Sequence, residues 1–189
     1  MSHITTSVEY GIHCLLWMIG SEATPLSTRD LADLQVISPT FLAKIFTKLE
    51  KAGIVRASEG VRGGYVLARA PENISFLEVI DAIDGRKPLF DCQDIRERCP
   101  LFGKDPAPAW VTRGVCSVHA VMLRAEKSMR DTLKSQTLGD VAEAYNRISP
   151  AAFNADVAKW IEDRLTTRVH RPAGTKQTRA GKRRRAAAS

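Results

Sequence analysis

The sequence predicts a mainly α fold with a small β-hairpin wing: a winged helix-turn-helix followed by a long dimerisation helix. Three observations carry this. Two short helical stretches are joined by a tight turn after a longer first helix. A glycine-tipped hairpin follows directly. Further on, an amphipathic stretch runs from Val115 to Leu133.

The first helix is read over Thr5 to Gly20, where Val8, Ile12, Leu15, Leu16 and Ile19 recur at helical spacing and Gly20 supplies a stop. Cys14 lies inside it with no metal-ligand partner nearby in sequence, and is read as a small apolar residue. Pro25-Leu26-Ser27 ends a loop, and Ser27 is a good N-cap for a helix from Thr28 to Leu34, with Asp30 at its third position. After a Val36-Ile37 connection, Ser38 as N-cap and Pro39 at the first helical position start another helix. Its apolar stripe is Phe41, Leu42, Ile45, Phe46 and Leu49, and Gly53 ends it. Opposite the stripe stand Thr40, Lys44, Thr47, Lys48 and Lys51, a mixture of hydroxyls and ammonium groups suited to phosphate contacts and groove entry.

Ile54 to Ala57 and Tyr65 to Ala68 read as two strands, and the glycines between them permit positive φ. This hairpin places Arg62 near a wing tip, within reach of phosphate or minor groove. The DNA-binding candidates are therefore Thr28, Ser38, Thr40, Lys44, Lys48 and Arg62, with double-stranded DNA as the partner. A capping box, Ser75 to Glu78, starts a helix from Phe76 to Ile83, and Gly85 closes it.

A long loop follows, punctuated by Pro88, Pro100, Pro106 and Pro108, and holding Cys92, Cys99 and Cys116 with His119 close behind. Loops of such length without secondary structure usually signal function or disorder. Three thiolates and an imidazole can hold zinc or an iron–sulfur cluster. The C-x6-C-x16-C-x2-H spacing matches no common zinc-finger pattern. The residues alone leave open metal binding, a thiol or disulfide switch, and incidental cysteines.

Val118, Val121, Met122, Ala125, Met129 and Leu133 form the stripe of the long helix. An intradomain role would leave too few other elements to cover it, so a homodimer is expected, which also suits a palindromic operator. Ser149-Pro150 starts a further amphipathic helix with Phe153, Val157, Trp160, Ile161 and Leu165, expected to be peripheral. Beyond it the composition turns basic. Eight of the 28 Lys and Arg lie between Arg168 and Ser189, where there is no acid, which leaves 20 basic against 21 acidic residues in the body. That tail reads as disordered, able either to add salt-dependent DNA affinity or simply to solubilise.

The expected division is 1–70 for the DNA-binding unit, 71–146 for connector helix, cysteine loop and dimerisation helix, 147–167 for an accessory helix, and 168–189 for the tail. The start lacks a secretory pattern and no apolar run reaches the roughly 18 residues of a membrane span. A cytoplasmic location is therefore expected, where thiols persist.

The run L-A-D-L-Q-V-I-S-P-T-F-L-A-K-I-F-T-K-L-E-K-A-G-I-V-R-A, with G-V-R-G-G-Y-V-L behind it, resembles the Rrf-two (Rrf2) family of bacterial regulators, whose branches include the IscR, NsrR and RirA kinds. The resemblance extends to about residue 146, where Thr137-Leu138-Gly139-Asp140 is similar to the motif that opens the last family helix. It implies a homodimeric winged-helix transcription regulator, expected to be a repressor, that often holds an iron–sulfur cluster on three cysteines of this loop. Relatives of the IscR kind place an arginine at the start of the wing and a glutamate in the recognition helix. Glu59 and Ala43 stand at those positions here, so a different operator is expected, with Arg62 taking over the wing contact.

Relatives also space their second and third cysteines closely, whereas this chain inserts Lys104 to Arg113. Closure entropy tolerates this, because doubling a loop costs only about 0.6 kcal/mol. By resemblance Cys92, Cys99 and Cys116 are the metal ligands. The fourth is His119 for a [2Fe-2S] cluster, or Glu9 of the partner chain for a [4Fe-4S] cluster. The expected signal is iron, nitric oxide or redox state. The alternatives are a cluster-free regulator switched by thiol oxidation or by a protein partner, and an iron–sulfur electron-transfer protein. No Ser/His/Asp, phosphate-loop or dinucleotide motif points to an enzyme.

Overall fold

In a computed structural model, residues 4–20, 24–59 and 63–169 are described. Helix α1 (Thr6–Met18) leads into α2 (Thr28–Gln35) and α3 (Pro39–Lys51), and strands β1 (Val55–Ser58) and β2 (Gly64–Leu67) form an antiparallel hairpin. Then come α4 (Phe76–Asp84), a short α5 (Ala109–Thr112), the long α6 (Ser117–Ser135), α7 (Leu138–Ile148) and α8 (Ala151–Val169). The sequence expectation of a mainly helical winged helix-turn-helix holds, with element ends displaced by a residue or two. Among the described residues no helix is long and apolar enough to cross a membrane.

The stripes identified in the sequence converge on one core. Leu15, Leu31, Leu42, Phe46, Leu49 and Ile54 are all buried to within 1% of complete. Fully burying a Leu or Phe side chain is worth about 1.5–3 kcal/mol, so this cluster fixes α1, α2 and α3 against one another. Cys14 sits in it, fully buried, and loss of solvent pushes its thiol up to about 12. Ser27 caps α2 as expected, its Oγ accepting the Asp30 N–H at 3.2 Å. Ser38 departs from expectation. It has the extended backbone of an N-cap, but its hydroxyl is paired with that of Thr40 at 2.7 Å and makes no bond to the helix backbone.

The turn between α2 and α3 is made by Val36, in the left-handed region at φ 54° and 92% exposed. A β-branched residue there is strained, by about 1–3 kcal/mol, and persists only because both flanking helices are pinned by the core. The hairpin also acquires a third rung. Leu26, read from sequence as loop, exchanges two backbone hydrogen bonds with Tyr65, N–H to O at 3.0 and 2.8 Å. The Tyr65 ring meets Phe46 with centroids 5.1 Å apart, which ties the wing to α3.

Two expectations are corrected. The loop after α4 is not structureless: it contains 3-10 turns at Ile95–Arg98 and Pro100–Phe102 as well as α5, and Val111 is buried at 4% exposure. Prolines at 88, 100, 106 and 108 hid these short turns from any periodicity. Helix α8 is not peripheral either. Ile161 joins the core, Trp17 meets Phe153 at 6.5 Å, and Arg164 donates to Asp33 of α2 at 2.7 Å while its guanidinium lies 4.6 Å from the Trp160 ring. The basic tail lies almost wholly outside the described residues.

Gly64 marks the closest approach in the wing, since an added Cβ would lie 2.5 Å from the Leu26 carbonyl oxygen. Backbone cannot swing aside as a flexible side chain does. Gly64→Ala is expected to destabilise the fold by about 1–3 kcal/mol, read from chemical denaturation of the purified variant.

Candidate functional site

The candidate reading surface is built on α3. Leu42, Ile45, Phe46 and Leu49 face the core, so helical geometry turns Thr40, Lys44, Thr47 and Lys51 to solvent, and all four are exposed. Thr47 bonds back to the Ala43 carbonyl at 2.9 Å. Thr28, at the start of α2, is half-buried. Lys48 is exposed as well, and its Nζ donates to the Ile83 carbonyl at the end of α4. Of the two lysines expected to meet phosphate, Lys44 is exposed, and Lys48 also ties α3 to α4. Arg62 lies outside the described residues.

The cysteine loop is anchored at both ends. On its near side the Leu89 N–H donates to the Glu126 carboxylate of α6 at 3.1 Å, and the Phe90 ring lies 5.9 Å from the His119 ring. In its middle, Arg96 donates to the Gly114 carbonyl at 2.8 Å and approaches Asp94 at 4.0 Å, while the Cys92 thiol lies 3.7 Å from that same carboxylate. Phe102 and Trp110 stack edge to face at 6.3 Å.

Cys116 is the residue from which α6 starts. The backbone N–H groups of His119 and then Val118, with a lesser contribution from Arg96, hold its thiol below the ordinary range against the opposing effects of partial burial and of Asp94. A helix N-terminus favours the thiolate in this way. Cys92, Cys99 and His119 are half-buried, and Glu9 is exposed in the first turn of α1. Among the described residues no three His, Cys, Asp or Glu side chains stand close enough together to hold a metal ion. The donor set, three thiols and an imidazole, suits iron–sulfur ligation chemically. The described loop gathers it along one strip of chain without closing it into a coordination shell.

Helix α6 connects this loop to the DNA-binding unit. At its far end Arg130 grips Asp81 of α4 through two bonds, at 3.1 and 2.7 Å, and this pair is largely shielded from solvent. Pairing with the carboxylate raises the Arg130 pKa further. The turn that follows is stitched to the start of α4, with Phe76 N–H to Gln136 O at 2.9 Å and Leu138 N–H to Ile74 O at 2.9 Å. The loop end of α6 is different: Val118 is 59% and Val121 52% exposed, and no residue of α6 is buried. Sequence reading missed Arg96, Asp81 and Arg130. They are ordinary charged residues by pattern, and only the fold brings residues 81 and 130 together.

A family model described as Rrf2, iron-dependent transcriptional regulator, matches residues 4–144. The chain belongs to the Rrf2 family. The protein named rrf2 of Nitratidesulfovibrio vulgaris is 32% identical over 140 residues, 73% of this chain and 85% of its own length. The IscR regulator of Escherichia coli O1:K1 is 33% identical over 139 residues, covering 73% and 78% of the two chains. The solved structure of CymR, the global cysteine regulator of Bacillus subtilis, superposes with a TM-score of 0.58 at 23% identity, over 76% of this chain and 98% of that one; it supports the fold. This Rrf2 chain is thus a DNA-binding transcriptional regulator, and its relatives are named as regulators, not as enzymes. The matched stretch ends inside α7, so α8 lies beyond it.

The four thiols of this Rrf2 regulator differ in environment. In the metal-free, reduced protein, iodoacetamide is expected to modify Cys116 ahead of Cys99, with the rate rising with pH through a midpoint below that of an ordinary thiol, because the thiolate is the nucleophile. Cys14 should stay unmodified until the fold opens. Peptide mapping of partly alkylated protein reads the order.

Proposed function

We propose that this Rrf2-family regulator binds a palindromic operator as a homodimer in the cytoplasm, and senses iron, nitric oxide or redox state through its cysteine loop. In this reading Cys92, Cys99 and Cys116 are thiolate ligands of an iron–sulfur cluster, with His119 or the partner's Glu9 completing it. DNA contacts come from Thr28, Ser38, Thr40, Lys44 and Arg62, with Lys48 beside them. The observation that carries the proposal is the position of Cys116: a thiol biased toward thiolate at the head of the helix that runs from the loop to α4.

A bound cluster supplies electron-transfer chemistry and an iron site open to loss or attack. What the chain's own residues do is mechanical. A change in the loop alters how α6 begins. Arg130 passes that change to Asp81, and α4 passes it through the Ile83 carbonyl to Lys48 on α3. Two recognition helices held at a fixed operator spacing respond strongly to small rotations. The exposed Val118 and Val121 support dimerisation through α6, since adjacent apolar side chains left in water on one helix face are the ordinary sign of a partner.

A second reading, a cluster-free regulator switched by thiol oxidation, is favoured by one observation. Cys92 contacts Asp94, and Asp94 and Arg96 both act on Cys116, so two thiols share one polar neighbourhood. Anaerobic purification separates the readings. The cluster reading expects iron, acid-labile sulfide and visible absorption, each lost in Cys92→Ala, Cys99→Ala and Cys116→Ala while circular dichroism and dimer mass persist. A colourless, iron-free protein that still binds its operator would leave the thiol reading standing alone.

A further inference from the structure

The two outer thiols of the cysteine loop, Cys92 and Cys116, have 23 residues between them. A flexible chain of that length holds its ends roughly 25 Å apart, so the two sulfurs act together only if something closes the loop. Three contacts run from one end to the other. The Cys92 sulfur lies 3.7 Å from Asp94 Oδ1, and the same oxygen lies 4.0 Å from Arg96 Nε. Arg96 Nη2 then donates to the Gly114 carbonyl at 2.8 Å, two residues before Cys116. Arg96 and Asp94 are also near enough to act on the charge of the Cys116 sulfur.

The residue types suit a clasp. Asp94 turns the chain in the left-handed region at φ 45°, which aspartate tolerates better than most side chains, and so opens the 3-10 turn that carries Arg96. Helix α5, from the segment between Cys99 and Cys116, packs back against that turn. A guanidinium donates from two edges of one rigid plane, so Arg96 can hold Gly114 with Nη2 and still offer Nε elsewhere. That Nε is buried and has no hydrogen-bond partner among the described residues, because 4.0 Å to Asp94 is past hydrogen-bond reach. A buried donor left unmet is costly. The acceptor that relieves it is Asp94, and closing that gap draws the Cys92 thiol toward Gly114 and Cys116.

We propose that Arg96 is the positioning residue of the cysteine loop: holding Gly114 on one edge and Asp94 on the other, it brings Cys92 and Cys116 together across the segment between them. The use made of that juxtaposition rests on reading the loop as the sensor. The juxtaposition itself does not, and it serves a bound cluster and a thiol switch alike.

The test uses the full-length protein, reduced and metal-free, carrying Cys99→Ser. With Cys14 fully buried, Cys92 and Cys116 are then the two thiols open to reagent. The probe is dibromobimane, which fluoresces strongly only when neighbouring thiols take both of its arms. Monobromobimane, with one arm, reports how reactive each thiol is by itself. The parent should form the Cys92–Cys116 bridge, identified by peptide mapping. Arg96→Lys keeps the positive charge beside Cys116 but has no second edge, and Asp94→Asn removes the charge from the other half of the clasp. Each should lower the bridged fraction about 3- to 10-fold, the usual worth of one hydrogen bond, while monobromobimane labelling and circular dichroism match the parent. A parent that does not bridge, or equal bridging in both variants, would overturn the proposal. A fall in monobromobimane labelling that matches the fall in bridging would assign Arg96 to thiol reactivity instead of position, and also overturns it. Iron-free anaerobic protein whose bridging still depends on Arg96 would end the cluster reading and leave the clasp standing.

Discussion

Helix α4 is held by α6, α3 and the start of α1, and the rest of the structure depends on that grip. On one side Asp81 accepts two bonds from Arg130 of α6; on the other the Ile83 carbonyl accepts from Lys48 of α3. Asp84, at its end, accepts from the Thr5 N–H at 2.9 Å just before α1. Its apolar face is no looser: Ile83 approaches so near to α1 that a Cβ on Gly11 would lie 2.5 Å from its side chain. A helix of nine residues has little stability alone. Here a capping box begins it and neighbours on three sides define it, so a displacement of α6 has no slack in which to dissipate before reaching α3.

The contrast along α6 gives this its direction. The end near Arg130 is stitched to α4 and to the segment before it, whereas the end at Cys116 makes few contacts and exposes Val118 and Val121. A rigid element anchored at one end and chemically addressable at the other is a lever. The thiol at its head is biased toward thiolate chiefly by the backbone N–H groups of the first helical turn, with Arg96 adding to them. The neutral body and the basic tail fit the same division of labour: affinity for phosphate can be supplied from outside the unit that reads sequence.

Much of this was legible in the sequence, where local chemistry fixes local structure. Ser27, Pro39 and the Ser75–Glu78 box announced three helix starts, and the stripe through Leu42, Phe46 and Leu49 announced the buried face of α3. What pattern could not reach was contact between distant residues. The exposure of Lys48 could be read from periodicity, but not the carbonyl 35 positions away that its ammonium meets. Leu26 looked like loop because its partner strand lies across the wing. Helix α8 looked peripheral because nothing in its own sequence shows that Trp17 and Asp33 wait to receive it. The cysteines were visible as a set, while Arg96, the clamp across their loop, carries no signature.

The central claim is that the state of the loop reaches α3 through the Arg130–Asp81 pair. The most direct measurement is operator affinity of the parent protein and of Arg130→Ala, each before and after the loop is altered by cluster removal or thiol oxidation. The account predicts that the parent changes affinity, while Arg130→Ala binds DNA yet responds several-fold less. A full response in Arg130→Ala, in a variant that remains folded, would contradict it.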